Sequence, residues 1–167
     1  MIVTIWIALI LFVAGEFESR ISRSLRPAAR LLFLLGALLC VVHLLIAMQA
    51  VHGWDHRAAV AATAAQTAQV YGVPWSGGVY VNYLLAAVWI ADALQRVMSP
   101  ASAARRSRAL VWTLRAFYFV VFLNAAVIFA TPGRRWMGVL ICVLIAGAWS
   151  RKPRSTHEGS LEDDVGA

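Results

Sequence analysis

The feature that most constrains this chain is the spacing of its apolar residues, which gather into blocks of about 14 to 23 residues separated by short charged stretches. A hydrocarbon core of about 30 Å calls for about 20 apolar helical residues per crossing. With no water to satisfy the backbone there, such blocks are expected as helices rather than open sheet. No alternating ten-residue pattern points to a barrel. The composition agrees: 61% of residues are hydrophobic, 14% are charged, and the mean hydropathy is +0.72. Soluble domains carry about a quarter charged residues. The expectation is therefore an all-α integral membrane protein, a bundle of about five transmembrane helices with one further helix on the outer face.

The blocks lie at about 2–15, 30–51, 76–98, 109–130 and 136–149. The first has no positive charge before it and Arg20, Arg23, Arg26 and Arg30 after it. That order opposes a cleaved signal peptide and favours a retained helix with its N-terminus outside. It is expected to run on as helix through Leu25, pairing Glu16 with Arg20 at i,i+4, with a break at Arg26–Pro27. Arg96, Arg105, Arg106 and Arg108 mark the third connection as cytoplasmic, as do Arg151, Lys152 and Arg154 after the last block. The second connection holds only Arg57, which places it outside; Arg134 and Arg135 in the fourth vote against this orientation. The localisation expected is a bacterial cytoplasmic membrane, N-terminus out and C-terminus in. The tail, 151–167, lacks apolar periodicity and is expected to be disordered.

Residues 56–71 read as the outer-face helix, with Asp55 as N-cap and Gly72 followed by Pro74 as stop. Its polar residues (His56, Thr63, Gln66, Thr67) fall near one face. The net charge of +7 sits between apolar blocks, which indicates topology and anionic lipid as partner rather than nucleic acid. Cys40 and Cys142 lie inside blocks and are expected as buried thiols.

Polar side chains within membrane helices are costly and often functional. Gly36, Cys40, His43, Ala47 and Ala50 form a seam of small residues on the second block, and Gly78, Asn82, Leu85, Trp89 and Asp92 a similar one on the third. His43, Asn82 and Asn124 share one leaflet beneath His52, Asp55 and His56. Two readings stay open. In one, an outward-facing site binds a small ligand, with His43, His52 and His56 holding a transition metal or haem. In the other, the chain is an accessory or scaffolding subunit of a membrane complex with no ligand, with membrane-protein partners or as a homo-oligomer, and the polar groups only fix packing. A membrane enzyme with a histidine base, or a proton-coupled carrier, ranks third; no nucleophile elbow, phosphate loop, HExxH or CxxCH is present. At the inner leaflet, Asp92 pairs with Arg96 at i,i+4 or, across helices, with Arg115. Tyr71, Trp75, Tyr80 and Tyr83 read as an interfacial aromatic belt.

Overall fold

A computed structural model of the chain describes residues 2–150, so the tail expectations at 151–167 lie outside the described residues. The protein is all-α: among the described residues there are seven helices and no strand. They are α1 (Ile2–Glu16), α2 (Arg26–His52), α3 (His56–Tyr71), α4 (Gly78–Met98), α5 (Pro100–Ala104), α6 (Arg108–Leu123) and α7 (Pro132–Ser150). A π-turn, Asn124–Ile128, extends α6. Two stretches, Arg23–His52 and Arg108–Ile128, are long and apolar enough on their own to cross a bilayer.

Local chemistry sets these boundaries. Asp55 accepts the backbone N–H of Arg57 at 2.8 Å and so starts α3. Gly53 (φ +55°) and Gly72 (φ +76°) end α2 and α3 in the left-handed conformation that glycine adopts without strain. The chain does not remain helical through Leu25. Helix α1 stops at Glu16 and gives way to two 3-10 turns, Glu18–Arg20 and Arg23–Leu25. Arg20 is thereby carried away from Glu16 and donates to the carbonyls of Gly147 and Ala148 at 2.8 and 2.7 Å. It satisfies carbonyls that the last turn of α7 leaves without helical donors.

The centre of the core is aromatic and draws on four helices, with Ile141 and Ile145 of α7 packed into the same cluster. Phe12 of α1 is fully buried, with the rings of Phe33 (α2), Trp89 (α4), Tyr118 and Phe122 (both α6) at 4.8–5.2 Å from its own. Helices α1 and α2 run antiparallel. A Cβ on Gly15 would stand 2.5 Å from Phe33 Cβ, and one on Gly36 would stand 3.0 Å from the Ala8 carbonyl. At the other seam, a Cβ on Gly138 of α7 would lie 2.0 Å from the Ala126 carbonyl in the π-turn. The bundle thus depends on bare backbone at three points along two seams. The face Ala59–Thr63–Thr67 of α3 turns inward over the start of α4, with both threonine hydroxyls bonded back into their own helix at 2.8 Å. Gln66 and His56 stay exposed.

Candidate functional site

The residues expected to form an outer site are not gathered around one point. His43 shares a 3.1 Å hydrogen bond with Thr4 of α1, not with Asn82 or Asn124. Asn82 is exposed on α4, although Val79 and Leu85, one turn to either side, are buried. Asn124 donates to the Val120 carbonyl and accepts the Tyr71 hydroxyl at 2.7 Å, tying the end of α3 to α6. His56 lies between Tyr80 and Tyr83, each hydroxyl 3.3 Å from a ring nitrogen, and the Asp55 carboxylate is engaged as the α3 cap. His52 is half-buried at the end of α2. Among the described residues no group of three or more His, Cys, Asp or Glu side chains could hold a metal ion. The proposed set of His43, His52 and His56 therefore has no common centre, since the turn at Gly53 and Trp54 and the bond to Thr4 send them different ways.

The organised chemistry is at the opposite, arginine-rich end. Asp92 is 4% exposed, and both its oxygens are saturated. Oδ1 accepts Arg96 Nε at 3.0 Å and Arg106 Nη1 at 2.5 Å. Oδ2 accepts Arg96 Nη2 and the Tyr118 hydroxyl, each at 3.1 Å. Arg96 reaches on to Glu16 Oε1 at 2.8 Å and lies 3.9 Å over the Phe33 ring. Glu16 in turn accepts the Trp149 indole N–H. Arg106 also binds Gln95 Oε1 through two nitrogens, at 2.5 and 3.1 Å. One chain of charge contacts thus links α1, α4, the α5–α6 turn, α6 and α7.

The i,i+4 pair of Asp92 with Arg96 is present. Arg115 is not part of it; its guanidinium sits 5.5 Å from the ring centres of both Trp112 and Trp149. Sequence reasoning passed over Arg106 and Tyr118. Arg106 reaches back only because Ser99–Pro100 breaks the helix and α5 turns the chain over the end of α4. Tyr118 lies one turn from Arg115 on the same helix, and that spacing was the available signal.

Above this network is a cavity of about 520 Å³, lined by Arg26, Arg30, Arg96, Arg106 and Arg115 and by only two carboxylates, Glu16 and Glu18. Arg30 pairs with Glu18 at 2.5 Å. Arg26 and Arg115 have no ion pair among the described residues, and Arg26 Nε is buried without a hydrogen-bond partner. Searches against protein-family models, curated proteins and solved structures found no match to this chain.

Proposed function

We propose that the chain is a non-enzymatic polytopic membrane protein whose arginine-lined cavity, at the cytoplasmic end of the bundle, binds an anionic ligand. In this reading α1, α2, α4, α6 with its π-turn and α7 cross the bilayer, and α3 caps the outer end. Large apolar side chains support it: Leu31, Leu35, Leu38, Val42 and Leu45 of α2 and Val139, Leu140, Val143 and Leu144 of α7 are all exposed. Stripes of that extent are rare on soluble monomers but suit lipid contact. Exposed Trp54, Trp75 and Trp136 lie near one end and Trp112 near the other, as interfacial belts do.

One observation carries the ligand assignment: five arginines and two carboxylates face a single cavity of ligand size, and one guanidinium nitrogen there is buried and unbonded. Guanidinium forks match phosphate and carboxylate oxygens in pairs, and the cavity walls lower the screening that water would provide. Asp92 supports the site from beneath by holding Arg96 and Arg106 in place. With every Asp92 oxygen already engaged by a donor, the carboxylate is better suited to a structural anchor than to carrying protons. Inorganic pyrophosphate should raise the melting temperature of delipidated wild-type protein, and Arg26→Gln/Arg115→Gln should lose that shift. Equal stabilisation of both proteins would remove the cavity from consideration. Extraction of the chain from membranes by alkaline carbonate would remove the membrane assignment.

A further inference from the structure

The cavity has an apolar neighbour. A groove of about 320 Å³ runs between α6 and α7, lined by Trp112, Ala116, Phe119, Ala146 and Trp149, with Arg115 at its edge. Its floor is the Phe119–Trp149 ring pair, with centroids 6.4 Å apart, and its two smallest lining residues, Ala116 and Ala146, face it from the two helices. Arg115 lines both the groove and the cationic cavity. Its guanidinium is held against Trp112 and Trp149, themselves groove residues, so the charge stands where the apolar wall meets the arginine cluster. A free anion uses only the cavity. A molecule that fills both must carry its negative charge at one end and hydrocarbon at the other.

We infer that the ligand is an anionic phospholipid of the bilayer, with its phosphate among Arg26, Arg96 and Arg115 and one acyl chain in the α6–α7 groove. This rests on the proposed anion-binding reading and specifies its ligand. Three features favour the lipid over a soluble anion. Charge complementarity matches a phosphate headgroup, basic pockets between cytoplasmic helix ends suit such headgroups, and the groove adjoining Arg115 is almost wholly apolar. Trp149 connects the two parts: one face of its ring bears on Arg115, while its N–H is spent on Glu16. Headgroup binding and the packing of α7 against α1 therefore share a side chain.

The test uses the full chain, delipidated in detergent, with native mass spectrometry of added lipid. Phosphatidylglycerol should be retained about tenfold more strongly than phosphatidylcholine. Ala116→Leu/Ala146→Leu fills the groove at two exposed positions. It should weaken phosphatidylglycerol retention about tenfold while leaving pyrophosphate stabilisation intact. Unchanged retention in that variant would overturn the lipid inference but leave the anion cavity standing, as would equal retention of the two lipids. Failure of both pyrophosphate and phosphatidylglycerol to bind would overturn the underlying reading as well. A chain truncated after Arg154 lacks Glu158, Glu162, Asp163 and Asp164. If pyrophosphate stabilised that chain but not the full one, the acidic end would be the cavity's occupant and the lipid would be excluded.

Discussion

Replacing Asp92 with asparagine keeps the shape of the side chain and removes the charge that two arginines share. In the wild type its oxygens accept four hydrogen bonds, two from Arg96, one from Arg106 and one from Tyr118. Removing one member of a buried ion pair costs about 3–5 kcal/mol, since the partner stays buried and uncompensated. The lower end, about 3 kcal/mol, is expected here, because Arg96 keeps Glu16 and Arg106 keeps Gln95. The amide nitrogen adds a donor where only donors were met, so relaxation of Tyr118 recovers little. Denaturant unfolding in mixed micelles, followed through the chain's seven tryptophans, gives the comparison. Arg106→Gln in the same background removes the orphaned cation and should restore about 1–2 kcal/mol, a non-additivity expected of direct partners. An Asp92→Asn protein within about 0.5 kcal/mol of wild type, or strictly additive effects, would refute the anchor role.

Gly138→Ala drives a Cβ to 2.0 Å from the Ala126 carbonyl and should cost about 1–3 kcal/mol, whereas Gly147→Ala meets nothing within 4 Å and should gain up to about 1 kcal/mol; thermal unfolding of the pair checks both. His43→Gln disrupts the bond to Thr4, and interhelical bonds of that kind average about 0.6 kcal/mol, so a loss of several kcal/mol would show that His43 does more than make that bond. Reporter fusions at Ala65 and Ala103 should report opposite sides of the membrane, and equal signals would overturn the topology.

Helix ends were legible where the signal is local. Asp55 and Gly72 act through their own backbone neighbours, and α3 occupies the stretch they mark. The Asp92–Arg96 pair was legible for the same reason, being fixed by helical spacing. The Glu16–Arg20 pairing used identical logic and fails, because spacing means nothing once the helix stops and a 3-10 turn redirects the chain. The surroundings of the outer residues were not legible for a different reason: depth along a helix says which level a side chain occupies, not what stands beside it. His43 meets Thr4 because α1 is the neighbour of α2, while Asn82 stays exposed. The cavity needed the fold, since its five arginines come from α2, α4, the α5–α6 turn and α6.

The position of Phe12 also sets an order of events during synthesis. Its first partner, Phe33, emerges soon after it on the adjoining helix, so the α1–α2 hairpin can close early. Trp89, Tyr118 and Phe122 complete the ring cage only when roughly 90 residues have followed Phe33, which at translation speeds of about 5–20 residues per second means about 4–18 s of waiting. Glu16 waits as well, because Arg96 and Trp149 are made later still than its own helix. During that interval the hairpin presents an open aromatic face with a carboxylate at its inner edge. A nascent chain halted before Gly78 is left in that state, its aromatic face without Trp89 and its carboxylate without Arg96.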